Sequence, residues 1–255
     1  MRKWEKLPRF LQTGEVYEYY AILKKKKLSL FFKRVFDISV SFILLILLLP
    51  VFLILAVLIK ISSRGPVFYR QERVTRYGKR FRIHKFRTMV TGADKGSQVT
   101  VNNDSRVTKT GKFMRKFRLD EISQLIDILQ GNMTFVGTRP EVPKYVERYN
   151  GEMLATLLLP AGVTSLASIY FKDEADLLGG AEDADRIYVE EILPQKMYYN
   201  LKSLKNFSFW NDIKIMFMTV FAVLGKNFKG EHEVKKVAAG EDENSGEKAG
   251  ENSEN

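Results

Sequence analysis

The densest set of reactive side-chain types lies in one short run, Arg115-Lys116-Phe117-Arg118-Leu119-Asp120-Glu121. Asp120 and Glu121 open an amphipathic stretch, Leu119 to Leu129, in which Ile122, Leu125, Ile126 and Leu129 share a face. That spacing predicts a helix, ended by Gly131. At a helix start the macrodipole favours the ionised carboxylate, and neighbouring cations act in the same direction. Ionised carboxylates serve as nucleophiles or as magnesium ligands. Taken alone, the same pair reads first as ordinary first-turn capping. Two further cationic groups stand out. Lys85-Phe86-Arg87-Thr88-Met89 sets two cations on either side of an apolar residue, and Gly137-Thr138-Arg139-Pro140 is a rigid turn that presents a guanidinium. Each could grip phosphate; singly, each also reads as the solvated face of a basic protein.

Composition narrows the chemistry to carboxylates and cations. There is no Cys, which excludes disulfide frameworks, thiol catalysis and Cys-ligated metals. The two His, His84 and His232, are too few for a three-His zinc site. A Ser-His-Asp triad would have to use His84. The net charge is +11 over 255 residues. Residues 240–255 hold six acids and one Lys, net −5, which leaves +16 on the rest.

The elements that must position these groups divide the chain in four. Residues 1–32 form a basic, aromatic leader, expected as an interfacial helix. Residues 33–62 contain the dominant feature: Ile38 to Ile59 is 22 residues without a charge. As a straight helix it would measure about 33 Å, enough to cross a bilayer core. Pro50 near its middle predicts a break. Its flanks are basic on both sides, with Lys24, Lys25, Lys26, Lys27, Lys33 and Arg34 before it and Lys60, Arg64, Arg70 and Arg73 after it. Lys and Arg prefer the cytoplasmic side, and here both ends ask for the same side. A helix–break–helix that enters and leaves one leaflet satisfies both; a kinked span with a weak charge bias remains open beside it. Asp37, costly in lipid, is expected to reach the interface or a cation such as Arg34.

Residues 63–225 read as the body of the protein. Val67–Val74 and Arg80–Phe86 are β-prone runs joined by Tyr77-Gly78, a hairpin pattern. Thr91–Asn103 is a polar loop, Glu141–Tyr149 a short helix, and Met153–Leu159 an apolar run stopped by Pro160. Phe207–Leu224 reads either as a core helix or as one lying in a membrane interface. Residues 226–255 form an acidic tail, expected to be disordered. The fold class is therefore mainly α with a small β-hairpin.

Combined in order, the motifs resemble those of the bacterial sugar transferases, the small monotopic phosphoglycosyl transferases that act on polyprenyl phosphate. The resemblance covers about Lys33 to Thr219. It rests on Lys33-Arg34-Val35-Phe36-Asp37, Gly65-Pro66-Val67-Phe68-Tyr69-Arg70-Gln71-Glu72-Arg73, Lys85-Phe86-Arg87-Thr88-Met89, Leu119-Asp120-Glu121, and Gly131-Asn132-Met133-Thr134-Phe135-Val136-Gly137-Thr138-Arg139-Pro140. It implies a monotopic protein with a re-entrant membrane helix broken at Pro50, amphipathic interfacial helices, and a catalytic domain on the cytoplasmic face of the bacterial inner membrane. It implies transfer of a sugar-1-phosphate from a nucleotide diphosphate sugar to polyprenyl phosphate, with release of UMP when the base is uridine. Asp120 is the implied nucleophile, forming a covalent aspartyl-phosphosugar. Glu121 is the implied ligand of Mg²⁺, and Lys85, Arg115, Arg139 and, less directly, Arg118 are implied at the phosphates. Anionic membrane lipid is a further expected partner, and downstream glycosyltransferases fit the same setting.

Several positions depart from the family pattern. Ser123 replaces the Pro after the acidic dyad, and Thr138 the first Pro of Gly-Pro-Arg-Pro. Thr75 stands at a frequent Gly, Ala161-Gly162-Val163-Thr164-Ser165 at Pro-Gly-Ile-Thr-Gly, and Asn200 near a common Asp. Long-form relatives carry additional N-terminal spans; a single apolar segment here fits the short form. The competing reading is a membrane-anchored scaffold or regulator of polysaccharide assembly, which would not need Asp120 and Glu121. Nucleic acid is not an expected partner, because juxtamembrane Lys and Arg account for the charge.

Overall fold

A computed structural model describes residues 1–93, 105–172 and 184–228. Most of the loop expected at Thr91–Asn103, and the acidic tail beyond residue 228, lie outside the described residues. In chain order the helices are α1 (Gly14–Lys25), α2 (Lys27–Leu47), α3 (Leu49–Ser62), α4 (Lys109–Lys116), α5 (Gln124–Leu129), α6 (Pro143–Val146), α7 (Leu166–Tyr170), α8 (Ala184–Ile187), α9 (Leu193–Lys205) and α10 (Phe209–Val223). The strands are β1 (Phe68–Tyr69), β2 (Glu72–Val74), β3 (Arg80–Arg82), β4 (Lys85–Phe86), β5 (Met133–Val136) and β6 (Ala161–Thr164). The mainly helical expectation holds, with small sheets set among the helices.

Residues 1–32 are not a separate leader. The Thr13 hydroxyl caps α1 by accepting from Val16 N, and Val16, Tyr19, Tyr20 and Leu23 line its buried face. With Leu7 and Leu11 they enter the largest hydrophobic cluster, beside Leu157, Leu158, Leu193, Met197 and Leu204. The basic residues of this segment mask an i, i+3, i+4, i+7 apolar stripe that needs a core to cover it.

α2 and α3 meet at 61°. The break falls at Leu48 rather than at Pro50, which sits in the first turn of α3. A proline is tolerated there because that N–H has no intrahelical partner, so Pro50 starts the second helix and disrupts the turn before it. The burial pattern of α2 is inverted. Its buried residues are Lys33, Asp37 and Ser41, while Phe42, Ile43, Ile46 and Leu47 point outward. Leu49, Leu53, Ile54, Val57 and Ile61 of α3 continue that exposed apolar surface. Among the described residues no single helix is long and apolar enough to cross a membrane. α10 buries Asp212, Ile215 and Ala222 on one side and exposes Trp210, Phe217 and Phe221 on the other, so one face joins the core and the opposite face is apolar and uncovered.

Charges at the head of α2 bolt it to the body. Lys33 Nζ lies 2.6 Å from Asp212 Oδ2 of α10 and donates to the Val136 carbonyl at 2.8 Å. Arg34 donates to the Ile128 and Leu129 carbonyls, capping the C-terminus of α5. Asp37 does not turn to the interface or ion-pair with Arg34. It accepts from Thr134 Oγ1 at 2.5 Å and from Phe135 N at 3.2 Å. All three residues thus fix α2 to β5 and its neighbours, and β5 leads directly to Arg139.

The expected hairpin forms. β2 pairs antiparallel with β3, and β1 with β4 further down the same two arms. Its turn uses left-handed conformations at Tyr77 (φ +62°) and Gly78 (φ +73°). A parallel β5–β6 pair is the second small sheet, which no local pattern announced. Beyond its end the chains approach so closely that a Cβ on Gly162 would lie 2.2 Å from the Gly137 backbone.

Candidate active site

The expected helix over Leu119–Leu129 is divided. Leu119–Glu121 is a 3-10 turn, and α5 begins only at Gln124. Arg118, at φ +55°, forces the reversal between α4 and this turn. That left-handed conformation costs a non-glycine residue about 1–2 kcal/mol. It turns Asp120 and Glu121 inward, where both are buried, Asp120 to 2% exposure. The two acids are therefore not a simple first-turn cap. The buried face of α5 also differs from the expected one: Gln124, Leu125, Asp127 and Ile128 are buried, while Ile126 and Leu129 are half-buried. The reason is a polar contact, since Asp127 receives the His84 backbone N–H and ring Nδ1, each at 2.8 Å. Arg70 Nη1, a donor, meets His84 Nε2 at 2.7 Å, which leaves the ring proton on Nδ1.

Four of the expected residues converge. Lys85 Nζ, at the start of β4, lies 3.0 Å from Asp120 Oδ2 and 3.3 Å from Glu121 Oε1. Arg139 grips Glu121 with both terminal nitrogens, Nη1 at 3.1 Å from Oε2 and Nη2 against Oε1. This fork is the geometry for which guanidinium is suited. Burial pushes the Glu121 carboxyl pKa upward, but Arg139, Lys85 and Arg118 outweigh it and hold it well below the ordinary carboxylate value. The other oxygen of the nucleophile candidate, Asp120 Oδ1, is buried with no hydrogen-bond partner among the described residues.

Arg118 and Arg115 are placed differently. Arg118 lines a cavity of about 490 Å³ together with Glu121 and Arg139. Arg115 Nε donates to Thr88 Oγ1 at 2.9 Å, which fixes it to the Lys85–Met89 run. α4 can sit so close to Thr88 only because position 111 is glycine; a Cβ there would stand 2.0 Å from the Thr88 carbonyl oxygen. Arg87, grouped with Lys85 as a phosphate-gripping candidate, instead donates to the Ser63 and Arg64 carbonyls and closes the C-terminus of α3.

The cavity has two characters. Lys116, Arg118, Arg139 and Lys172 surround Glu121 at its polar end. Leu44 and Leu48, from the bend between α2 and α3, line it with Phe135, Val163 and Ile169. Below Arg139 lies a buried layer that sequence reasoning missed. Tyr188 donates to Glu141 at 2.5 Å, Lys196 donates to Glu141 and to Tyr188, and Arg73 donates to the Pro140 carbonyl at 3.0 Å. Glu141 directly follows the Thr138-Arg139-Pro140 turn and was the available signal. The departures from the family pattern also find partners. Ser123 Oγ donates to the His84 carbonyl, and Thr75 Oγ1 both donates to the Asn132 carbonyl and accepts from Ala161 N. Asn200 is buried in α9, its Oδ1 without a partner among the described residues, and does not line the cavity.

The donor set bears on Mg²⁺. No group of three or more His, Cys, Asp or Glu gathers among the described residues. Mg²⁺ nevertheless binds through one or two carboxylates, completed by substrate phosphates and water. Asp120 Oδ1 and Glu121 fit that share, provided Arg139 yields one Glu121 oxygen.

Fold and site together define a class: a helical protein with two buried carboxylates among cations, opening toward an exposed apolar helix pair. Residues 28–226 match the bacterial sugar transferase family, and the chain belongs to it. A Klebsiella pneumoniae protein named UDP-glucose:undecaprenyl-phosphate glucose-1-phosphate transferase is 39% identical over 201 residues, covering 76% of this chain and 40% of that protein. An Aeromonas hydrophila protein named UDP-N-acetylgalactosamine-undecaprenyl-phosphate N-acetylgalactosaminephosphotransferase is 36% identical over 200 residues, 76% of this chain and 44% of its own. The undecaprenyl-phosphate galactose phosphotransferase of Salmonella typhimurium is 32% identical over 218 residues, with coverages of 79% and 42%. The chain spans about two-fifths of the length of these relatives.

The Arg139–Glu121 pair makes a pH-dependent prediction. A depressed native pKa contributes stability above the unfolded-state value, near 4.5, and that stability is lost only as pH falls through the lower native value. In Arg139→Met the burial that opposes ionisation gains the upper hand. The variant's unfolding midpoint should then lie below the parent's at neutral pH, and the gap should narrow as the solution is acidified through the unfolded-state value. Equal profiles would show that Arg139 does not hold Glu121 ionised.

Proposed function

We propose that the protein transfers a sugar-1-phosphate from a UDP-sugar to undecaprenyl phosphate and releases UMP, an initiating step of bacterial surface glycan synthesis. The observation that carries this reading is the cavity that joins the Glu121–Arg139 end to the apolar bend at Leu48. One ligand with a phosphate head and a hydrocarbon tail matches both ends. The relatives' names, which share undecaprenyl phosphate and differ in sugar, support it.

In this reading Asp120 Oδ1 attacks the phosphorus that bears the sugar. A P–O bond forms to the carboxylate, and the P–O bond to the nucleoside monophosphate breaks, UMP leaving with the electron pair. A phosphate oxygen of undecaprenyl phosphate then attacks the same phosphorus. The P–O bond to Asp120 breaks, which restores the carboxylate and yields the lipid diphosphosugar. Lys85 and Arg139 turn from the carboxylates toward the phosphoryl oxygens as substrate enters, and Arg115 and Arg118 add positive potential at the same place. The Lys85 side chain is about a quarter exposed, which leaves it room to make this turn. Glu121 would hold Mg²⁺, and the bound ion would supply neutralisation of the diphosphate charge.

We further propose that α2 and α3 form a re-entrant pair in the cytoplasmic leaflet of the bacterial inner membrane, with α10 in the interface. The 61° bend and the outward apolar residues of both helices support this. So do the polar anchors at the head of α2; in this reading the site lies at headgroup level, where a soluble donor and a lipid acceptor meet.

Asp120→Asn should lower UMP release from a panel of UDP-sugars with undecaprenyl phosphate by about a thousandfold or more. Chelation of divalent cations should stop release by the parent, and added Mg²⁺ restore it. Undiminished release by Asp120→Asn would leave the scaffold reading in its place. Topology is open to test because the chain has no native Cys. Leu28→Cys and Ser62→Cys should both label from the cytoplasmic side, whereas labelling from opposite sides would make the pair a kinked span. Gly65 is unsuitable for such labelling, since a Cβ there would lie 2.0 Å from Arg87 Nη1.

A further inference from the structure

We propose that a second cavity, between the N-terminal segment, the head of α2 and the hairpin turn, binds the phosphate-bearing headgroup of an anionic lipid. Its volume is about 1020 Å³, and it shares no lining residue with the carboxylate cavity. Arg2, Lys3, Lys24, Lys27, Arg34 and Arg76 line it. Among the described residues that line it, the carboxylates are Glu5 and Asp37, against these six cations, and Asp37 accepts from Thr134 and Phe135. Arg34 spends its hydrogen bonds on neutral carbonyls, and Asp37 is the carboxylate that attracts its charge. Such a concave set of like charges raises a strong positive potential that an anion relieves.

The cations are also pre-positioned. The Arg2 and Arg76 guanidinium carbons lie 4.8 and 5.2 Å from the centroid of the Tyr77 ring, and Lys24 Nζ lies 5.9 Å from that of Tyr20. Cation–π contacts hold these groups in place while leaving their donors available for phosphate oxygens.

Two observations favour a lipid over a soluble anion. The cavity follows one stripe of α2 through Lys27, Leu30, Phe31 and Arg34, and beside it Leu28, Phe32 and Val35 are exposed. That apolar surface continues toward Phe42 and Ile43, so a headgroup seated among the cations would leave its acyl chains along α2. Much of the cavity wall also comes from residues outside the 28–226 family match. The site is thus separate from the shared transfer chemistry, and it rests only on the membrane placement of α2.

Trp4 lines this cavity, and Trp210 is the only other tryptophan. The full chain carrying Trp210→Phe, reconstituted in phosphatidylcholine nanodiscs, therefore reports on the site through Trp4 fluorescence. Increasing the fraction of phosphatidylglycerol should shift the emission saturably. The apparent affinity should fall about fivefold in Lys24→Gln and about a hundredfold in the triple variant Arg2→Ser, Lys24→Ser, Arg76→Ser. Lys24 is exposed, so its single variant remains informative even if the triple variant fails to fold. Inorganic diphosphate added to pure phosphatidylcholine discs is the second arm. A shift there equal to that with phosphatidylglycerol would assign the site to a soluble phosphate and overturn the lipid. No shift in either arm, or a shift unchanged in Lys24→Gln, would overturn the site itself.

Discussion

The ammonium of Lys85 lies between two buried carboxylates, 3.0 Å from one and 3.3 Å from the other. Burial of the Glu121 carboxylate beside a second acid has to be offset by cations that stand against it. Lys85 and Arg139 meet that requirement from two separate parts of the chain. Lys85 is delivered by the inner end of the hairpin, Arg139 by the turn after β5, and the acids by the reversal at Arg118. The same cations that stabilise the resting site are those a phosphate would attract, so the site is set to exchange one anion for another.

Anchor and site are mechanically one unit. Lys33, Arg34 and Asp37 tie α2 to β5, α5 and α10, and Arg87 ties the end of α3 to the exit of β4. β4 carries Lys85, and β5 leads into Arg139. The apolar bend is therefore held in place relative to the carboxylates, as the proposed transfer between a soluble donor and a lipid acceptor would require.

Legibility from sequence followed the range of the interaction. The uncharged run, the break near Pro50 and the hairpin are local patterns and could be read directly. The split of Leu119–Leu129 could not, because it depends on a left-handed Arg118 and on Asp127 being drawn inward by His84. The burial of one stripe of residues 1–32, from Leu7 to Leu23, was hidden by the basic composition around it. Of the site residues, Lys85, Asp120, Glu121 and Arg139 were chosen for the order of their motifs, and the structure brings them into contact. Glu141, Tyr188 and Lys196 went unnoticed, since the three are far apart in sequence and each is unremarkable alone.

In the proposed mechanism Asp120 carries the phosphosugar between donor and acceptor. Intact-mass measurement of the full chain, incubated with a UDP-sugar it turns over and without acceptor, tests this most directly. The expected result is a mass increase of one sugar phosphate less water, mapped to the peptide containing Asp120 and removed when undecaprenyl phosphate is added. UMP release that requires both substrates together, with no adduct at any time, would mean direct transfer and would contradict it.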